Sequence, residues 1–186
     1  GAITAYREAV IVNPNNAQIW AKLARIQTYS SAFLITNEEK KARLLEALES
    51  ADKAVGLAPE DSFVHAIRAF TLDWNANSNF YTTEEVQDFL AQAEQEALIA
   101  QQLDNTNPLA LAYYAEILVD QQKWNQAELI IKQALERPDA SQWMDVYRVN
   151  AYVLETLGQY NLAISEYEKA IALEPNFTFL YLRIGA

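Results

Sequence analysis

Few side chains in this sequence could do acid–base or metal chemistry, and their spacing favours structural roles. His65 is the only histidine and there is no cysteine, which excludes disulfides and zinc–thiolate sites. The pairs Glu38-Glu39 and Glu84-Glu85 have the composition of a catalytic carboxylate dyad, but each pair follows a threonine at the start of a helical pattern. Acidic side chains are favourable at a helix N-terminus. We therefore assign both pairs to helix capping.

Other reaction types have no motif to support them. The sequence contains no nucleophile elbow and no Gly-rich phosphate loop. The stretch Asp104-Asn105-Thr106-Asn107 lacks the terminal glutamate of a calcium loop and reads as a turn. We expect no enzyme activity, no cofactor and no metal site. His65 should instead pack in the core and, with Arg68, contact the Glu-rich neighbouring helix. Most of the acid on such helices, as at Glu94, Glu96, Glu166 and Glu168, should be solvated.

The helices that carry these residues repeat along the chain. Residues 157–176 place Ala163, Tyr167, Ala170 and Pro175 on one amphipathic helix and its end. Small residues on a helix stripe indicate a closely packed second helix. The other copies of this spacing are Ala2, Tyr6, Ala9 and Pro14; Ala47, Ala51, Ala54 and Pro59; Ala93, Ala97, Ala100 and Asn105; and Ala127, Ile131, Ala134 and Asp139.

A second pattern precedes these helices. It consists of Trp20, Leu23 and Ala24; Leu111, Tyr114, Ala115 and Leu118; Tyr147, Ala151 and Leu154; and Tyr181, Ile184 and Gly185. Together the two patterns resemble the tetratricopeptide repeat (TPR), a unit of about 34 residues with a helix A and a helix B. The resemblance covers essentially the whole chain. It implies an all-α fold, a right-handed α-solenoid of antiparallel helix pairs.

The repeat pattern predicts one array over residues 1–186 of unequal repeats. Its parts are 1–14, helix B of a truncated first repeat; 15–59 and 60–105, two long repeats; 106–139 and 140–175, two further repeats; and 176–186, the start of another helix A. The cut ends lead us to expect a piece of a longer protein.

The two long repeats have an excess of about eleven residues each, or about three helical turns. Thr36 with Glu39, and Thr82 with Glu85, have the spacing of capping boxes. We therefore predict that helix B is lengthened in both, over about 37–57 and 83–103.

The formal net charge of −11 restricts the possible partners. Binding to nucleic acid needs Lys and Arg to displace counterions, so we expect none. No apolar run is long enough to insert into a membrane. We expect a protein or peptide partner with basic or apolar segments. The sequence does not determine the cellular compartment, and we slightly favour the cytoplasm.

The TPR resemblance also implies a concave groove lined by helix A positions. On this sequence the groove residues are Arg25, Tyr29, Phe63, Phe70, Trp74, Leu109, Glu116, Asp120, Arg148 and Tyr152. The groove should be aromatic in its middle and acidic towards the C-terminus. The stripe Phe63, Ile67, Phe70 and Trp74 leaves two interpretations open, because it could line the groove or belong to the core.

Some TPR domains clamp the C-terminal carboxylate of a chaperone with Lys and Asn at fixed positions. Aligned from the second repeat, those positions hold Ala21, Arg25, Ile67, Leu109 and Tyr113, so this clamp is absent. We expect a non-catalytic protein–protein interaction scaffold that binds a peptide or partner helix in the groove. The alternative is an accessory segment of a larger multidomain enzyme or sensor. A structural spacer is a third possibility.

Overall fold

The computed structural model describes residues 1–185, which form α-helices and short 3-10 turns without any β-strand. The chain divides into two compact units, Gly1–Asp104 and a second that begins at Asn105. The first unit contains α1 (Ala2–Val12), α2 (Ala17–Ser30), α3 (Asn37–Leu57), α4 (Ser62–Ala76) and α5 (Thr83–Leu103). The second contains α6 (Pro108–Asp120), α7 (Trp124–Leu135), α8 (Met144–Thr156), α9 (Tyr160–Leu173) and α10 (Thr178–Ile184). The 3-10 turns are Ser31–Phe33 and Ala140–Gln142.

Helices that are adjacent in sequence pack as antiparallel pairs. In the first unit α2 pairs with α3 and α4 with α5, and α2 also contacts α4. In the second unit α6 pairs with α7 and α8 with α9, and α6 also contacts α8. The even-numbered helices are therefore the A helices, and α1 and the other odd-numbered helices are the B helices. The predicted fold class, an α-solenoid of antiparallel helix pairs, is confirmed.

The alanine stripes of the B helices lie at the helix–helix contacts. Ala47, Ala51 and Ala54 on α3 have no exposed surface, and Ala163 and Ala170 on α9 have almost none. Small side chains at these positions allow the two helices of a pair to pack closely. On α1, in contrast, Ala2 is exposed and Ala9 is only half-buried.

Both long B helices begin and end where the sequence predicts. The Thr36 hydroxyl accepts a hydrogen bond from the Glu39 amide at 3.2 Å, and the Glu39 carboxylate accepts one from the Thr36 amide. Thr82 and Glu85 repeat this capping box at the start of α5. These bonds satisfy amides that the first turn leaves without a helical partner.

Two A helices end in the same tight turn but with different residues at its left-handed position. The Lys123 amide donates to the Leu118 carbonyl and the Gln122 amide to the Val119 carbonyl, both at 2.8 Å. The corresponding bonds after α8 come from the amides of Gln159 and Gly158. This is the Schellman pattern, whose left-handed residue is usually glycine. Gly158 has φ 73°, whereas Gln122 adopts φ 61° with a side chain.

We predict that Gln122→Gly stabilises the protein by about 0.5–1 kcal/mol, because the substitution removes left-handed strain from an exposed residue. Urea unfolding followed by circular dichroism measures the change. Gln126→Gly is the matched control, since the exposed Gln126 is helical and its replacement by glycine should cost about 1 kcal/mol. A loss of stability in Gln122→Gly would contradict the strain argument.

We predict that the capping boxes make stability depend on pH in the acid range. Hydrogen bonds from the Thr36 hydroxyl and amide lower the pKa of Glu39 below its ordinary value of 4.5, and the Thr82 amide and hydroxyl do the same for Glu85. Lowered folded pKa values mean that this stabilisation is complete above pH 4.5 and is lost as the pH falls through them.

The melting temperature of a Glu39→Gln, Glu85→Gln variant, measured at pH 7 and in steps down to about pH 3, tests this. The variant should be less stable than the wild type at pH 7, and the difference should vanish in acid. Glu38→Gln with Glu84→Gln removes the same charges from the same helix turns without a capping bond, so its effect should be smaller. Equal effects in the two variants would contradict the prediction.

Candidate functional site

An aromatic cluster occupies the A helices of the first unit. The ring of Tyr29 on α2 lies 4.9 Å from that of Phe70 and 5.3 Å from that of Trp74, both on α4, measured between centroids. Phe70 and Trp74 are 5.4 Å apart. The Arg25 guanidinium lies 5.4 Å from the centre of the Tyr29 ring, a cation–π distance. Four of the residues assigned to the groove are thus brought together.

The members of this cluster differ in exposure. Tyr29 and Phe70 are buried, while Arg25 and Trp74 are half-buried. In the stripe on α4, Ile67 and Phe70 have no exposed surface, whereas Phe63 and Trp74 at its two ends are half-buried. The centre of the stripe therefore belongs to the core, and only its ends reach solvent.

A buried ion pair links the A helices of the second unit. The Arg148 guanidinium donates two hydrogen bonds to the Glu116 carboxylate, at 2.7 and 2.5 Å, and both residues are about 95% buried or more. Asp145, also buried, lies 4.0 Å from Arg148. Bidentate pairs of this kind are geometrically specific. The sequence predicted that Glu116 and Arg148 line a partner-binding groove, whereas in this structure they bind each other.

The remaining groove residues of this unit are Leu109, Asp120 and Tyr152. Leu109 has no exposed surface. The Tyr152 hydroxyl donates to the Asp120 carboxylate at 2.7 Å, and both residues are half-buried. The guanidinium of Arg183 on α10 lies 5.6 Å from the centre of the Tyr152 ring and also pairs with Glu155.

The Tyr167 hydroxyl lies next to this Arg183–Glu155 pair. It donates to the Glu155 carboxylate at 3.2 Å and accepts from the Arg183 Nε, also at 3.2 Å. Burial raises the pKa of Tyr167 to about 12, although the nearby Arg183 charge opposes the shift. Tyr167 therefore stays protonated and acts as a structural hydroxyl.

His65 and Arg68 belong to one hydrogen-bonded network with Glu96 in the first unit. The Nδ1 of His65 lies 2.6 Å from the Glu96 carboxylate, and Nε2 lies 2.9 Å from the Pro59 carbonyl. Arg68 donates to the other Glu96 oxygen and to Asp52, each at 2.7 Å. The predicted contact of His65 and Arg68 with the Glu-rich helix is confirmed. The expectation that the acid of this helix is solvated is wrong for Glu96, which is buried because it bridges these two side chains.

Both ring nitrogens of His65 have hydrogen-bond partners within the fold, so neither is available to act as a catalytic base. Both ring nitrogens face oxygen acceptors, and the Pro59 carbonyl can only accept, so Nε2 must donate. Among residues 1–185, no three His, Asp or Glu side chains are grouped so that they could hold a metal ion. No helix within the same range is long and apolar enough to cross a membrane.

We predict that Arg148→Met destabilises the protein by about 3–5 kcal/mol, because it leaves the Glu116 charge buried without its counter-ion. The double variant Arg148→Met, Glu116→Leu should recover most of that loss, since an apolar pair of similar size replaces a buried ion pair at little cost. Chemical denaturation of the wild type, both single variants and the double variant gives the coupling energy. Additive losses would show that the pair is not energetically coupled.

Comparisons with known proteins agree with this architecture. A family model for the tetratricopeptide repeat matches residues 151–177. The TPR protein TTC0263 of Thermus thermophilus is similar in structure, with a TM-score of 0.72 at 20% identity over 99% of this chain and 87% of that chain. No curated protein sequence matches the chain.

Two further solved structures share the fold at lower similarity. PilF of Pseudomonas aeruginosa has a TM-score of 0.52 at 18% identity, over 88% of this chain and 67% of that chain. Human IFIT1, solved as a dimer with PPP-AAAA, has a TM-score of 0.56 at 18% identity, over 92% of this chain and 45% of that chain. Residues 151–177 therefore match the tetratricopeptide repeat, and the chain as a whole shares the fold of tetratricopeptide-repeat proteins.

Proposed function

We propose that this chain is a non-catalytic scaffold that binds a peptide or a helix of a partner protein on its A-helix face, with Trp74 as the main contact. The observation that carries the proposal is the three-ring cluster of Tyr29, Phe70 and Trp74. Two buried rings hold the indole of a half-buried tryptophan in one orientation. An anchor that is already ordered loses little side-chain entropy when a partner binds.

The residue types at this place are those that dominate binding energies. Trp, Tyr and Arg are enriched among interface hot spots, and Arg25 lies beside the same Tyr29 ring that supports Trp74. In the second unit the corresponding surface offers the half-buried Tyr152 and Asp120. Glu116 and Arg148 are buried and bind each other, so we do not assign them to the partner contact. Taken by itself, the first unit favours an apolar side chain beside Trp74, and the second favours a basic residue near Asp120.

The non-catalytic part of the proposal rests on the polar networks. His65, Glu96 and Arg68 are committed to one another and to Asp52, and Glu116 is committed to Arg148. A catalytic acid or base needs a free position for the substrate within hydrogen-bond reach. These groups use their hydrogen-bonding capacity inside the fold.

We predict that Trp74→Leu weakens peptide binding at least about 30-fold, the equivalent of a hot spot of about 2 kcal/mol. Selection from a phage-displayed library of random peptides supplies the ligands, and fluorescence polarisation of the synthesised peptides measures the affinities. Circular dichroism and thermal unfolding confirm that the variant is folded.

Leu98→Ala is the control, because Leu98 is 39% exposed on α5, a B helix of the same unit. It should leave the affinity unchanged. Peptides that bind wild type and Trp74→Leu equally well, or a library that yields no binder, would overturn the proposal.

A further inference from the structure

His65 is the only histidine of the chain, and it belongs to a buried network that the proposed function does not use. The His65 side chain is 6% exposed, and that of Glu96 on α5 is 11% exposed. Arg68, one turn further along α4, binds both Glu96 and Asp52 on α3. The network therefore joins three helices of the first unit, and the protonation state of His65 determines whether its charges balance.

The Glu96 carboxylate is the acceptor at the centre of this network. Its Oε1 accepts a hydrogen bond from Arg68 Nη1 at 2.7 Å, and its Oε2 lies 2.6 Å from His65 Nδ1. An arginine side chain has no acceptor and is always charged in proteins, and a carboxyl group beside it is favoured in the ionised form. At neutral pH both Glu96 oxygens are therefore acceptors, so Nδ1 must supply the proton at the 2.6 Å contact.

The second ring nitrogen of His65 also faces an acceptor. Nε2 lies 2.9 Å from the Pro59 carbonyl, and a carbonyl can only accept. A neutral imidazole has a single N–H, so it would donate at one of the two contacts and place a lone pair against an oxygen at the other. An imidazolium has an N–H on each nitrogen and donates at both. The two contacts together therefore require the doubly protonated ring.

The charges of the network favour the same state. With His65 protonated, the network contains two cations, His65 and Arg68, and two anions, Glu96 and Asp52. With His65 neutral, one of the two carboxylates has no cation to balance it. Glu96 is the more buried of the two, and an uncompensated charge is costly where water is excluded. The proton on His65 removes this cost.

The helix α2 also packs against α4, but on another side. It meets α4 at Phe70, and with about 100° between residues His65 lies roughly opposite that position. The only charged residues of α2 are Lys22 and Arg25, so this helix adds no carboxylate. In the turn before α4, Asp61 accepts a hydrogen bond from the first-turn amide of residue 63. The anion in contact with His65 is thus Glu96.

We propose that His65 is an imidazolium in the folded chain at neutral pH, and that its charge makes the contact between α4 and α5 sensitive to pH. In the unfolded chain a histidine is exposed to water, where its ordinary pKa is about 6.5. The folded chain then holds a proton that the unfolded chain releases above this pH. By linkage, the stabilisation is complete below about pH 6.5 and is lost as the pH rises further. The capping boxes have the opposite dependence.

NMR of the ¹⁵N-labelled chain tests the protonation state directly, because a single histidine gives a single set of ring signals. In a two-bond ¹H–¹⁵N correlation spectrum the two nitrogens of an imidazolium have similar shifts, whereas those of a neutral ring are widely separated. At about pH 7.5 an ordinary histidine is only about 10% protonated. Folded wild type should give the imidazolium pattern at this pH, and the same chain unfolded in urea should give the neutral pattern.

Glu96→Gln separates a role of the charge from a role in packing. The carboxamide has nearly the same shape, its oxygen can accept from Arg68, and its NH₂ group can donate to Nδ1 of a neutral ring. His65 should therefore become neutral at about pH 7.5, with its proton on Nε2. Glu84→Gln removes the same charge from the exposed first turn of α5, and this control should keep the imidazolium pattern.

Urea unfolding of wild type and His65→Gln between about pH 6 and pH 8.5 measures the consequence for stability. Wild type should lose stability as the pH rises, whereas His65→Gln has no group here that titrates and should change less. The α-amino group of the first residue also titrates in this range, but both chains share it, so its contribution cancels.

A neutral ring in folded wild type at about pH 7.5 would overturn the proposal, and so would an imidazolium that persists in Glu96→Gln. A wild type whose stability falls with pH no more than that of His65→Gln would show that the charge does not make the contact sensitive to pH. If a variant does not fold, the spectrum of the wild type and its own dependence of stability on pH still decide both points.

Discussion

The close approach of the two helices in each pair is the contact on which the rest of the structure depends. Alanines without exposed surface line that contact on α3, α5 and α7, as do two of the small residues on α9. At such positions a larger side chain would push the backbones apart and would have to be accommodated by every neighbouring residue. The spacing of the alanines fixes the register of each helix pair. It therefore also determines which A-helix residues face away from their B helix. Those residues include the aromatic cluster and the Arg148–Glu116 ion pair.

The sequence predicts the backbone well because the relevant signals are local. The spacing of Ala47, Ala51 and Ala54 indicates a helix B, and the four-residue motif beginning at Thr36 fixes where that helix starts. The pairing of Glu116 with Arg148 was missed, since it joins residues 32 positions apart on different helices. Opposite charges at inward positions of successive A helices were the available signal. Glu96 was misjudged for the same reason, because its burial depends on which side chains α4 brings to it.

The contact between neighbouring A helices is stabilised differently in the two units. In the first unit, aromatic rings fill the space between α2 and α4, and burial of their apolar surface stabilises the contact. In the second, an ion pair joins α6 and α8, and its Coulomb attraction is largely offset by the cost of removing both charges from water. The ion pair therefore contributes little net stability, but it penalises any other register of the two helices, which would leave one charge buried alone.

The pairing of arginines with carboxylates inside the fold also determines which charges the protein presents to solvent. Arg68, Arg148 and Arg183 all bind carboxylates within the fold. The negative charge in excess is then left on exposed carboxylates, whose field extends over about one Debye length, or 8–10 Å, and would steer the basic partner that we propose. Such steering raises association rates more than it raises affinity. Affinity has to come from short-range contacts of apolar side chains, and in the scaffold that we propose these contacts are made at the aromatic cluster of the first unit.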